Sequence, residues 1–586
     1  MKMQMLVCLL LFGSWGQKQA PRAPASAKTP AAAPAAEQRS FRISGTVVDG
    51  ITGQPLANAQ VSIAAQGIRD SGQFTVTEED GRFAFENLTP GHYPLFARRR
   101  GYLQQFYKQH DQFSTAIIVR PELNMENLLF EMRPDASISG QVLDEMSEPV
   151  RNAQVMLFRH GVALGRRSNW QKNTVQTDDL GHFRFGHLEP ATYFVGVSAS
   201  PWYAQRLVHL RTLHTGSSGQ SSVSSSTFFA DTPQNFDQSS VQEVSGGDLD
   251  LDVVYPITFF PNAPDISGAA PITLHSGDAE TADLRLQPVP SLHVIVRTAS
   301  AAASSGDSTE NENVWAQVMQ VVADGVQMGV QASNTQIAPG IVEVSGLPPG
   351  RFNLRLNSAK SGETVSRSQE VQLAGDAEVT LNEANAPGTV SGLAKLESGA
   401  ALVPAPTILL RARATGERFM AQAEQSGEFS LKDQAVPPGA YDVLIQPATV
   451  AVKSLSATGA KATGRSVEIP GGQDVQLKVV LSEGTGRITG VALKDGKPLD
   501  GVMIVLVPEA PERDLVLFRR DQSDSDGSFA LPGVHPGKYT VVAIEDGWEL
   551  EWLTPGVLEK YLAGGEAVRV TANAKIDVKV KVQPPQ

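Results

Sequence analysis

"DGRFAFENLTPGHY" occupies residues 80–93, and its alternation decides how the chain folds. Phe83 and Phe85 fall on every second position, the period of a strand with one buried face. Asp80-Gly81 ahead of them supplies the positive φ of a tight hairpin turn. Pro90-Gly91 behind them marks a second turn, where Pro presets φ and Gly relaxes it. Tyr93 then opens another strand, its ring filling the core and its hydroxyl reaching the rim. The same pattern returns as "DDLGHFRFGHLEPATY" at 178–193 and "DSDGSFALPGVHPGKY" at 524–539.

Each copy sits in the same order of pieces. "ISGTVVD" (43–49) and "PLANAQVSI" (55–63) precede the first, "ISGQVLD" (138–144) and "PVRNAQVML" (149–157) the second, "ITGVALK" (488–494) and "PLDGVMIVL" (498–506) the last. Weaker copies are "VSGLAKL" (390–396) with "QSGEFSLKDQAVPPGAY" (425–441), and "IVEVSGLPPGRF" (341–352). The modules close on alternating strands, most clearly "KIDVKVKV" (575–582), read as antiparallel with one wet face and lysines guarding an edge. Short strands with frequent turn signals predict β-sandwiches. The partition is 41–134, 135–290 with a Ser-rich insert at about 205–250, 291–385, 386–484 and 485–586. Five such units are expected in a line with few shared contacts.

The N-terminus reads as an export signal. Lys2, an apolar run from Met5 to Phe12 and small residues at Ser14 and Gly16 form the three regions of a cleavable leader, assigned to 1–20. The run is too short to span a bilayer. Cleavage would remove Cys8, the single cysteine, so no disulfide or thiol chemistry is expected afterwards. Residues 21–40 are Pro/Ala-rich and read as a disordered linker. No later stretch is a transmembrane candidate. The expected location is outside the cytoplasm: periplasmic, cell-surface or secreted.

Charge and motifs exclude much. The chain is 586 residues long with a net charge of −13, which argues against a nucleic-acid partner. "RRR" at 98–100 is the densest basic run and reads as a solvated edge. None of the ten histidines has a glutamate three positions later, so metallopeptidase chemistry has no apparatus. His182 and His187 read as outward strand residues. "DQSDSDGS" (521–528) fails the calcium-loop pattern, and Asp524 and Asp526 read as turn formers. No catalytic residue, metal or cofactor is expected.

"ISGTVVD…PLANAQVSI…DGRFAFENLTPGHY" resembles the carboxypeptidase regulatory-like domain. The resemblance is specific in modules one, two and five, weaker in four and poorest in three, which lacks the "SG" opening. It implies transthyretin-like sandwiches, also grouped with carbohydrate-binding-like folds, and a domain that accompanies catalysis without performing it. With "YPITFFPNAPD" (255–265) and "WELEWLTPGVLEKYL" (548–562), the whole chain is similar to large secreted acidobacterial multi-module proteins. The fold class expected is all-β: tandem immunoglobulin-like/transthyretin-like antiparallel β-sandwiches.

Aromatics outside the strand pattern are the remaining functional lead, because sugar C–H faces stack on flat rings. They are Tyr102 and Tyr107, Trp202 and Tyr203, and Trp548, Trp552 and Tyr561. Trp548 and Trp552 are four apart in a stretch readable as one short helix, which is either a sugar platform or a lid on the last sandwich. The function expected is non-catalytic polysaccharide binding. The alternatives are a structural or adhesive stalk, or an accessory subunit of an exported enzyme or outer-membrane receptor.

Overall fold

The computed structural model describes residues 41–586 apart from 68–70, 122, 124, 164, 205–206, 211–225, 230–250, 299–312, 324–325, 339, 361–362, 383–384, 415 and 448–449. The segment 1–20 expected to be a leader, with Cys8, the Pro/Ala-rich segment 21–40 and most of the Ser-rich insert therefore lie outside the described residues.

The chain is built almost wholly of strands, arranged as tandem sandwiches. In module one, Phe41–Asp49 lies between Arg82–Leu88 and Met125–Met132. The facing sheet runs Gln73–Val76, Gln60–Ile63, Gly91–Arg98 and Gln105–Phe106, with Ala116–Val119 also paired to Gly91–Arg98. Ile43, Val47, Val61, Phe83, Phe85, Leu95 and Phe130 fill the space between. Phe83 and Phe85 point inward, as their period demands, while Arg82 is exposed. Separate cores of the same make-up span residues 136–286, 294–381, 390–481 and 488–582.

Two local expectations change. The Asp-Gly turns do not close hairpins. Gln73–Val76 and Arg82–Leu88 belong to different sheets, so the turn carries the chain across the sandwich. Gly81, Gly181 and Gly527 adopt φ of +71°, +73° and +76° there, as the turn requires. The closing strands are parallel to the opening ones, not antiparallel. Met125–Met132 pairs parallel with Phe41–Asp49, and Lys575–Gln583 with Gly486–Lys494. Lys575–Gln583 also reaches Ala543 and Ile544, so it joins strands on both sides and is no edge. Its lysines do face solvent, and Val578, Val580 and Val582 face the core.

That closure explains the "SG" opening. A methyl on Gly45, Gly140, Gly392 or Gly490 would overlap the carbonyl oxygen of Leu128, Ala282, Leu477 or Val578, each in or beside the closing strands. Only glycine lets the two backbones come this close. Two further ties recur. Thr77 Oγ1 accepts from Ala59 N and donates to Leu56 O. Thr177 does the same with Ala153 and Val150, and Ser523 with Val502 and Leu499. The tyrosine after the second turn donates to the carbonyl four residues back: Tyr93 to Thr89, Tyr193 to Glu189, Tyr441 to Pro437 and Tyr539 to His535, at 2.7–2.9 Å. Tyr193→Phe is expected to cost its module about 0.5–1.5 kcal/mol, read by denaturant unfolding. A loss above ~3 kcal/mol would show that the ring had shifted as well.

The modules do not form a simple line. The last folds back onto the first and second, because its polar turn and its lid segment carry side chains made to dock there. Among the described residues no helix is long and apolar enough to cross a membrane.

Candidate binding cleft at the junction of three modules

The turn at 521–528 is the centre of the junction. Its backbone and side chains add to the free edge of Ala116–Val119 in module one. Ser525 N donates to Ala116 O at 3.0 Å, Ala116 N to Asp524 Oδ1 and Ile118 N to Ser525 Oγ, both at 2.9 Å. Gln522 Nε2 donates to Lys108 O at 2.7 Å and to Thr115 Oγ1 at 2.9 Å. Around this row, Lys108 pairs with Asp500 at 2.8 Å, Arg120 with Asp526 at 3.2 Å and His92 with Asp524 at 3.2 Å. The Asp524 hydrogen bond holds His92 above the ordinary histidine range, favouring its charged form. Asp524 and Asp526 are thus turn formers that also clasp module one. Among the described residues no cluster of three or more His, Cys, Asp or Glu could hold a metal ion. His182 and His187 are exposed and pair with Asp178 and Asp135.

Trp548 and Trp552 do not share a helix. Gly547–Glu549 is a single 3-10 turn, Leu550 is extended, and the only α-helical turn nearby is Glu559–Leu562, beyond Pro555 and Gly556. Both rings are 9% exposed. The His110 ring of module one stacks on Trp548 at 4.7 Å and 3°, and Trp548 Nε1 donates to Gly501 O. Burial holds His110 below its ordinary value, which favours the neutral ring. Gly165, in the module-two hairpin of Gln154–Ala163 and Arg166–Gln176, rests on Trp552, where any side chain would strike the indole. Leu553 N donates to Gly165 O at 2.9 Å. Arg520 lies 4.8 Å over Trp552 and 5.0 Å over Phe113. The two tryptophans are therefore anchors between modules: His110 takes one face of Trp548, and Gly165 and Arg520 pack on Trp552.

The other ring candidates divide. Tyr561 is fully buried and its hydroxyl accepts from Gln586 N, so it cannot stack on a ligand. Tyr107 is buried against Phe130. Tyr102 is half-buried, donates to Asp49 at 2.7 Å and carries Arg99 over its ring. Trp202 is 83% exposed and packs edge-on against Tyr203. Tyr203 and Tyr255 both donate to the Glu145 carboxylate. Burial and that contact push the Tyr203 hydroxyl up to about 12. Trp202 is thus a lone exposed ring on a braced base, far more open than the others.

Where modules one, two and five meet, they leave a cleft of about 570 Å³. Gln104, Gln105, Gln109 and Arg133 come from module one, Arg159, Trp170, Lys172 and Glu189 from module two, and Trp548 and Glu549 from module five. Arg159 pairs with Glu189 at 2.6 Å and lies 5.7 Å from the Trp170 ring, which is half-buried. Trp170 was not singled out by sequence. It sits in a long module-two hairpin whose tip is held by Trp552, and no motif marks that pairing.

The hydroxyl tie, the tyrosine bond and the close-packed glycine recur together in modules one and two. Residues 42–116 and 137–218 match the carboxypeptidase regulatory-like domain. Both regulatory-like segments supply walls of the cleft. Module five carries the same three features outside the matched residues. Among solved structures, the chain is similar to a streptococcal ancillary pilin at 12% identity, covering 50% of this chain and 98% of that one, with a TM-score of 0.18. It is also similar to a minor pilin of Streptococcus agalactiae at 11%, 43%, 97% and 0.20, in the same order. The major pilin subunit of Bacillus cereus follows at 11%, 60%, 99% and 0.14. No curated protein matches the chain.

Proposed function

We propose that this is an exported, non-catalytic protein that binds polysaccharide in the three-module cleft beside its regulatory-like domains. The observation carrying this reading is the cleft lining. A half-buried indole, Trp170, lies among primary amides, guanidinium groups and carboxylates. Ring faces take sugar C–H surfaces, and planar polar groups take pairs of hydroxyls. The volume of about 570 Å³ suits a few sugar units. A spacer role is less well served, since the last module packs back on the first two and shortens the reach.

Trp170→Ala is expected to weaken binding to a retained polysaccharide by about fivefold to tenfold, with the melting temperature unchanged. Affinity gels or calorimetry against a panel of soluble polysaccharides read the loss. No binding by the wild type to any member would sink the proposal and favour a stalk or accessory role.

A further inference from the structure

A second hollow of about 640 Å³ runs along the seam of modules one and two, lined by Arg98, Arg99, Arg100 and Tyr102. It shares Leu103, Gln104 and Glu189 with the three-module cleft, so the two form one groove. The "RRR" run therefore does not edge a bare hairpin. It lines the groove together with Arg133, Arg159, Arg167 and Lys172. Against these seven cations stand three carboxylates, Asp111, Glu189 and Glu549. The groove is thus net positive on a chain whose net charge is −13.

The pairing sharpens this. Arg159 and Lys172 share Glu189, and Arg167 pairs with Glu551. Arg98, Arg99, Arg100 and Arg133 have no carboxylate partner among the described residues. Two of them are nevertheless held in place. Arg98 Nε donates to Gln60 Oε1 at 2.9 Å, and Arg99 Nε to Ala57 O at 2.8 Å. Unpaired guanidinium groups gathered in one groove repel one another, and bound anions relieve that repulsion. Each keeps further N–H donors in the fork that matches a carboxylate or sulfate.

We propose that the groove binds a polyanionic glycan, one bearing carboxylate or sulfate groups along its chain. This rests on the reading of the cleft as a polysaccharide site and specifies its ligand class. The acidic groups meet the arginines, while Trp170 and the glutamines Gln104, Gln105 and Gln109 take the sugar rings and hydroxyls.

The test uses the full chain with polygalacturonate, dextran sulfate, unmodified dextran and single-stranded DNA. At low salt one or both acidic glycans should bind at least tenfold tighter than dextran, and the better of them identifies carboxylate or sulfate as the group read. Raising salt to about 0.5 M, where the Debye length falls to a few ångströms, should remove most of that advantage. The variant Arg98→Gln/Arg100→Gln/Arg133→Gln, at three exposed positions, should lose tenfold or more with an unchanged melting temperature. Dextran binding as tightly as the acidic glycans overturns the charge proposal and leaves the cleft reading standing. No glycan bound overturns both. DNA bound more tightly than any glycan overturns the proposal for a nucleic-acid ligand. Acidic glycan binding that survives the triple substitution removes it from this groove.

Discussion

Replacing His293 by alanine is expected to lower the stability of the third module by about 3–5 kcal/mol, the cost of leaving buried carboxylates without their cation. His293 is almost fully buried. Its Nδ1 donates to Glu343 at 2.9 Å and its Nε2 to Asp252 at 2.8 Å. Asp376 accepts from its backbone N–H. Asp252 belongs to the end of module two, so the imidazolium ties the two modules together. Burial works against the charged ring, but the two carboxylates outweigh it and raise its pKa to about 9. The unfolded value is near 6.5. The contribution is therefore present in full below about pH 6.5, shrinks as pH rises, and is gone above the folded value near 9. The window corresponds to about 3 kcal/mol. Unfolding curves at pH 6, 8 and 10 should show an alkaline loss in the wild type that His293→Gln largely lacks. Parallel pH profiles for the two proteins would refute the assignment.

Trp552→Ala is expected to cost about 3–5 kcal/mol as well, through the loss of a buried ring. Its further effect is on cooperativity. Gly165, Leu553 and Arg520 all rest on this indole or beside it, so modules two and five should melt together in the wild type and separately in the variant. Differential scanning calorimetry distinguishes the two. A variant with the wild-type heat profile would show that Trp552 does not couple the two modules.

The sandwich fold was legible because alternation, turn chemistry and the "SG" glycine are local. Phe83, Phe183 and Phe529 lie where their period places them, and Tyr93, Tyr193 and Tyr539 reach the rim. Strand direction was not legible, since the pairing of residues 488–493 with 576–581 depends on a closure some ninety residues away. The cleft was hidden for the same reason at larger scale. Trp548 and Trp552 were readable either as a sugar platform or as a lid on the last sandwich, because nothing in their own segment decides between them; His110 and Gly165, hundreds of residues earlier, are what cover them. The run 98–100 read as a solvated hairpin edge because its own segment shows no partner; the hollow it lines is formed with module two, and none of its three arginines pairs with a carboxylate among the described residues.

The clasp at 521–528 also sets a chronology. Lys108 and Asp500 are 392 residues apart. At a synthesis rate of ~5–20 residues per second, module one emerges roughly 20–80 s before its partner. Through that interval the strand Ala116–Val119, with its apolar sequence AIIV, has one edge paired to Gly91–Arg98 and the other without Ser525 and Asp524. An unpaired apolar edge is a template for aggregation. A chain that stops before residue 521 keeps that edge open permanently, so premature termination endangers the first module more than the one it removes.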